Sequence, residues 1–385
     1  MHADKKQFEE GTVPHRVLLA APAPPPYGGM AIQARLLEEQ LLADGISVVF
    51  FASNLSFPGW LRPLERVPGI RTLICTALIW KRLWGEVRRT DVVHVLATNF
   101  VYFFAVVYPA VLYSRLQGKR VLLNYRGGDA KKFFHRYKWA IKPIFKWATV
   151  VSTPSQFLGC MIESYFQVPV LIVPNILKGS LFKYRQRHIF EPKLLVTRHL
   201  EKIYDVETAL KAFRQIKARY PNASLWIAGT GSEEKHLRSL VSTWSLEDVR
   251  FLGYVAHSDL PPIYDQCDIL LNASRVDNFP GALLEASGAG LVVVSTSAGG
   301  IPVMFQNGET ALLAEPGDWE GLAGLVERVL QSPPLGSALT ERAAMLAKQC
   351  DWKEIRKPLY MGYGFSQEEN SESPLGMKSS AGVRG

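Results

Sequence analysis

Short, almost uninterrupted apolar runs alternate with stretches of helical period along most of the chain, and this alternation limits the fold more than any other feature. Arg16-Val-Leu-Leu-Ala-Ala21, Ile46-Ser-Val-Val-Phe-Phe51, Asp91-Val-Val-His-Val-Leu96 and Val121-Leu-Leu-Asn124 read as strands covered on both faces. Between the first two, Met30 to Leu42 places Ile32, Leu36, Leu37 and Leu41 on one helical stripe. Strands that alternate with helices predict a parallel sheet with helices on both sides. The pattern lapses in the charged segment Lys183-Tyr-Arg-Gln-Arg-His-Ile-Phe-Glu-Pro192 and then restarts with Lys193–Thr197, Ser224–Ala228, Asp268–Asn272 and Leu291–Ser295.

Two doubly wound domains are therefore expected, and 385 residues suit two. Their predicted bounds are 15–183 and 193–350, joined by a linker at 184–192. A helix at 351–365 returns to the first domain, with a flexible start at 1–14. The Ser-, Gly- and Glu-rich tail 366–385 has little to bury, so disorder is expected there.

Several classes fall away. Cys75, Cys160, Cys267 and Cys350 stand far apart, without the spacing of a zinc or disulfide-exchange motif, and read as reduced, buried thiols. The first sixteen residues lack the apolar core of a secretory signal, which leads to an expectation of residence in the cytoplasm. Val101 to Leu112 is almost wholly apolar but too short to span a bilayer, and reads as a buried helix.

Charge is unevenly distributed. Between Arg62 and Lys146 basic residues abound, opposed only by Glu65, Glu86, Asp91 and Asp129, with Trp60, Trp80, Trp84, Trp139 and Trp147 interleaved. That mixture suits an anionic membrane surface as readily as it suits an ordinary solvated face. No nucleic-acid-binding motif accompanies it, so no nucleic-acid partner is expected.

Three places carry chemistry. Gly28-Gly29, after the first strand, reads equally as a turn and as a ligand loop at a helix N-terminus. It is not the G-x-G-x-x-G fingerprint of dinucleotide binding. In Ala273-Ser-Arg-Val-Asp277-Asn-Phe-Pro-Gly-Ala-Leu-Leu-Glu285, a strand end leads into a helix with free amides, and two acids stand where sugar and ribose hydroxyls could be held. Taken singly, Asp277 would be a helix cap and Glu285 an exposed acid. His94 at a strand end reads first as a buried, hydrogen-bonded residue, and Arg198 with Lys202 reads also as a solvated helix entrance. No acid triplet or His/carboxylate cluster points to a divalent ion.

The segment from Asp277 to Glu285 resembles the C-terminal half of glycosyltransferase family 4. So do Gly253-Tyr-Val255 and Tyr264 to Ser274 before it, and Gly299-Gly300-Ile-Pro302, Asn307-Gly308 and Gly317-Asp318 after it. The likeness runs from about Leu194 to Trp352. It is looser upstream, through Gly28-Gly29, Asp91 to His94 and Pro174-Asn175.

The resemblance implies a GT-B fold, two Rossmann-like domains facing across a cleft, with a nucleotide-sugar donor on the second domain and a glycan or lipid-linked acceptor on the first. It implies hexosyl transfer with retention at the anomeric carbon, needing neither metal nor cofactor, in the synthesis of envelope polysaccharide or another glycoconjugate. By the same resemblance Asp277 contacts sugar hydroxyls and Glu285 the ribose. The amides at Phe279 to Ala282, of which Pro280 alone lacks an N–H, meet the diphosphate beside Asn278; Arg198 and Lys202 clamp it, Gly229 and Gly231 line the donor, and Gly253, Tyr254 and Val255 lie against the base.

Some positions depart from the family pattern. Asp277 replaces a commoner Glu, Glu201-Lys202 a Lys-Gly, Arg126 a frequent His beside the transferred sugar, and Val303 a frequent Glu. An epimerase or phosphorylase of the same fold, and a non-catalytic nucleotide-sugar-binding protein, are the rival readings.

Overall fold

The computed structural model describes residues 16–24, 28–53 and 68–365, with side chains of 68–73 left out. The expected flexible start at 1–14, the tail at 366–385, and Trp60, Arg62, Glu65 and Arg66 lie outside the described residues.

Two six-stranded sheets form, parallel throughout. The first comprises β1 (Arg16–Ala21), β2 (Ser47–Ala52), β3 (Val92–Ala97), β4 (Arg120–Tyr125), β5 (Val150–Thr153) and β6 (Val170–Ile172), in the order β2-β1-β3-β4-β5-β6. The second comprises β7 (Lys193–Thr197), β8 (Ser224–Ala228), β9 (Val249–Gly253), β10 (Ile269–Asn272), β11 (Val292–Thr296) and β12 (Leu312–Ala314), in the order β12-β11-β10-β7-β8-β9. Strand order reverses between β1 and β3 in one sheet and between β7 and β10 in the other. In open parallel sheets a crevice opens at that point, beyond the carboxyl ends of the strands.

Each sheet is covered on both faces. One face of the first packs Leu18, Val93 and Leu123 against aromatic residues of the surrounding helices, among them Phe103, Phe133, Phe145 and Phe166. The other packs Leu19, Leu96 and Leu122 against Leu37 and Leu41 of the helix Gly29–Ala43. Ile32 of the predicted stripe is only half-buried. The Val101–Leu112 run is helical with a π-helical section at Phe103–Val107, and among the described residues no helix is long and apolar enough to cross a membrane.

The helix Trp352–Tyr363 lies on the first sheet, although it follows the second domain in sequence. Trp352, Ile355, Leu359 and Tyr363 join the same core as Leu19 and Leu96. Asp44 anchors it, its Oδ2 accepting from Trp352 Nε1 at 2.9 Å and from the Tyr360 hydroxyl at 2.6 Å.

The first crossing begins before the charged stretch. Leu177 and Phe182 already pack with Tyr264 and Leu284 of the second domain, and the Leu177 amide donates to the carbonyl of Cys350 at 2.8 Å, so the outgoing and returning chains meet. Segment 184–192 contains neither helix nor strand, yet it is held down. Arg187 is 3% exposed and donates to Asp268 and to five backbone carbonyls.

Candidate functional site

The site assembles where strand order reverses in the second sheet. Arg198 follows β7 directly, and the loop ending in Asp277 follows β10, so the crevice brings together residues 79 positions apart. Arg198 Nη2 lies 2.7 Å from Asp277 Oδ2, each side chain 12% exposed, but the N–H is not aimed at that oxygen. What fixes the guanidinium is Asn272, whose Oδ1 accepts from Arg198 Nε at 2.9 Å and from Ser274 Oγ at 2.8 Å, together with the Tyr204 ring 5.2 Å away. Asp277 is not a helix cap. The helix Gly281–Ala289 is preceded by Pro280 at the cap position with no side-chain cap bond, so no cap side chain satisfies its first amides.

Glu285, one turn into that helix, is held from both sides. The Tyr264 hydroxyl donates to its Oε2 at 2.9 Å, and His257 Nε2 stands 3.0 Å from its Oε1. Burial, and then the Glu285 charge, raise the Tyr264 pKa well above its ordinary value, so the phenol stays protonated as a donor. Thr197 Oγ1, on the residue before Arg198, lies 2.9 Å from the same hydroxyl and ties the two halves of the site together.

The glycines act mainly through the backbone. A Cβ on Gly229 would fall 1.8 Å from the carbonyl oxygen of Arg198, and one on Gly231 2.3 Å from that of Leu200, so both let the loop carrying Arg198 pass closely. Gly299 and Gly300 do the same for the backbone of Asp277 and Asn278. The Gly253 carbonyl accepts from the Gly229 amide at 2.8 Å, Tyr254 is half exposed, and Val303 is exposed on its short helix. Gly28 and Gly29 open the Gly29–Ala43 helix, with free space where a side chain would begin.

The first domain meets this site directly. Asn278 Nδ2 donates to the carbonyl of Gly127 at 2.7 Å, and Asn175 Nδ2 to that of Phe279 at 3.0 Å. Arg126 donates to Asn124 Oδ1 and to Asn175 Oδ1, and burial lowers its pKa to about 10, which leaves it cationic at neutral pH. Asn278 is thus engaged across the cleft through its side chain. Lys202 is exposed on the 3-10 turn Lys202–Tyr204, four residues beyond Arg198.

His94 does not line the cleft. It is 1% exposed on β3 beneath the returning helix, with Nδ1 2.7 Å from the Tyr363 hydroxyl, because the strand's alternation turns it to the same face as Leu96. Burial, then nearby Arg126, lowers its pKa from 6.5 to about 3. The unfolded chain therefore binds a proton that the folded chain refuses, and this contribution to stability is lost as pH falls from about 6.5 towards 3. His94→Gln should flatten the fall in melting temperature over that acid range relative to wild type; parallel curves would remove His94 as the cause.

Among the described residues no cluster of three or more His, Cys, Asp or Glu is placed to hold a metal ion. A depression of about 580 Å³, lined by Trp226, Arg250, Lys193 and Asp268 among others, lies at the amino ends of β7, β8 and β10. It is at the opposite edge of the sheet from Arg198, and the site geometry does not involve it. Tyr264, His257, Asn272 and Asn175 contact Glu285, Arg198 and Phe279, and nothing local in the sequence assigns them to the site.

Residues 183–345 match the family model of glycosyl transferases, group 1. The chain is 30% identical over 169 residues to a glycogen synthase of Mycobacterium tuberculosis, covering 42% of this chain and 40% of that protein. It is 31% identical over 154 residues to an N-acetyl-alpha-D-glucosaminyl L-malate synthase of Bacillus anthracis, covering 40% of each. The match therefore spans about two fifths of the length of these relatives.

Among solved structures, that of Anabaena HepE in complex with UDP superposes with a TM-score of 0.70 at 16% identity, covering 90% of this chain and 98% of that one. A sucrose-phosphate synthase from Thermosynechococcus elongatus gives 0.71 at 19%, covering 90% and 97%. The expected GT-B fold of two Rossmann-like domains holds over nearly the whole chain.

Proposed function

We propose that the protein is a glycosyltransferase that moves a hexosyl group from a nucleoside-diphosphate sugar, with a UDP-sugar favoured, to a glycan or lipid-linked acceptor. The observation that carries this reading is the convergence of Arg198, the uncapped start of the Gly281–Ala289 helix and the braced Glu285 at one strand-order reversal. The match of the second domain to group 1 glycosyl transferases supports it, as does the likeness to a fold crystallised with UDP-glucose in Anabaena HepE.

In this reading the diphosphate leaves with its growing charge offset by Arg198 and the helix amides, joined by Lys202, and no metal is required. Asp277 accepts from sugar hydroxyls and Glu285 from the ribose. Arg126, steadied by Asn124 and Asn175, faces the transferred sugar from the first domain. The acceptor attacks on the face the leaving group departs from, which retains the anomeric configuration.

A panel of UDP- and GDP-sugars screened by thermal shift, followed by product analysis in the presence of a chelator, tests the reading. An α-donor giving a β-product would defeat retention, and a chelator-abolished reaction would defeat metal independence. Glu285→Gln keeps the shape but loses the charge, and should weaken donor binding about 10- to 100-fold. Unchanged donor binding in a variant that melts like wild type would remove Glu285 from the ribose.

A further inference from the structure

The helix Ala130–Trp147 carries no acidic residue, and its solvent side does not resemble that of its neighbours. Phe133, Phe134, Ile141, Ile144 and Phe145 are buried against the first sheet. At the centre of the opposite side stands Trp139, 88% exposed. Lys132 and Lys146 lie seven residues before and after it, on the same line along the helix, and His135 and Lys142 are one turn away on either side. Arg136 completes the rim. Among the described residues only Asp129, ahead of the helix, pairs with these cations, 3.9 Å from Lys132 in an exposed pair that is worth little.

An indole fully presented to water is costly unless something covers it. A tryptophan centred among lysines on a convex helix matches a flat anionic interface, where the ring settles at headgroup depth and the ammonium groups reach lipid phosphates. A nucleic acid strand would instead call for a groove to follow, with stacking rings along it; this side of the helix offers one ring on a ridge. The adjoining helix Tyr108–Leu116 extends the same character, with Arg115 over the Trp147 ring at 5.5 Å and Leu116 66% exposed.

We infer that the outward face of helix 130–147, centred on Trp139, docks the protein on an anionic lipid surface. The placement has a consequence for the acceptor. The helix begins three residues after Gly127, whose carbonyl receives Asn278 from the second domain, so its first turn adjoins the interdomain cleft. A membrane against this face lies beside the cleft mouth and would present an acceptor carried on a lipid. That last step rests on the proposed transferase function, whereas the docking itself does not.

The test is co-sedimentation of the full chain with vesicles of phosphatidylcholine alone and of phosphatidylcholine mixed with phosphatidylglycerol, read beside UDP binding by thermal shift. Binding is expected only to the anionic vesicles. Lys132→Gln with Lys146→Gln should weaken it about 25-fold, at roughly fivefold per lysine, and Trp139→Ala should weaken it several-fold, with UDP binding unchanged in both. Equal retention of wild type and both variants would overturn the proposal, as would tight Trp139-dependent binding of a labelled single-stranded oligonucleotide that anionic vesicles fail to displace. Failure of the wild type to bind either UDP or GDP would instead defeat the transferase reading and leave the docking result standing.

Discussion

Arg198→Ala is expected to lower kcat by about 100- to 1000-fold, the usual consequence of losing one preorganised group aimed at charge that develops in a transition state. The expectation follows from how the side chain is held. Asn272, itself gripped by Ser274 and donating from Nδ2 to Ser295 Oγ at 2.9 Å, accepts from Arg198 Nε, and Tyr204 lies under the guanidinium. The terminal nitrogens are thus left for Asp277 and for the donor. Because the Nη2 group stands 2.7 Å from Asp277 without a well-aimed bond to it, its N–H is left to be directed at a diphosphate in the proposed donor complex. Arg198→Lys should recover only part of the rate, since an ammonium cannot hold Asn272 and phosphate together in one plane. Steady-state kinetics with the donor found by thermal shift decides the matter. A wild-type kcat in Arg198→Ala, with an unchanged melting temperature, would show that leaving-group charge is met elsewhere.

The same residues show how far the sequence could be read. β1, β7 and β8 fall where the apolar runs place them, since a buried parallel strand has to be continuously apolar. The predicted starts at Asp91 and Asp268 are one residue early for a physical reason. Each aspartate sits just ahead of its strand and uses its carboxylate to bind backbone amides, Asp91 that of Arg16 at 3.0 Å and Asp268 that of Glu191 at 2.9 Å. Arg198, Asp277 and Glu285 stand out because they are charged residues immediately after apolar strands or near the start of a helix.

Their supports do not stand out. Tyr264 and His257 reach Glu285 from elements 21 and 28 residues upstream, and Asn175 reaches Phe279 across 104 residues and a domain boundary. No local period encodes such meetings. His94 shows the converse, a polar residue inside β3 whose neighbours in sequence are compatible with either fate. Only the return of Tyr363 from the far end of the chain decides it.

Segment 184–192 shows best what composition hides, and Arg187→Met is the substitution expected to cost most in stability, about 3–5 kcal/mol. Arg187 Nε donates to Asp268 Oδ1 at 2.9 Å. Its two other nitrogens reach the carbonyls of Ala289 at 2.8 Å, Gly290 at 2.7 Å, Cys267 at 2.8 Å, Arg185 at 3.1 Å and Tyr264 at 3.2 Å. Burial lowers its pKa, with Asp268 opposing, so the guanidinium is retained as a cation by the carboxylate and carbonyls it satisfies. Methionine fills similar volume but leaves those acceptors without a donor, the costly half of a broken buried network. Three of these carbonyls belong to Tyr264 and to Ala289 and Gly290, at the end of the helix that bears Glu285. Loosening them should therefore weaken donor binding along with lowering the melting temperature of the second domain. Calorimetry together with UDP binding separates the outcomes. A melting temperature within a degree or so of wild type would mean that water replaces the guanidinium, and that the strap is an ordinary linker.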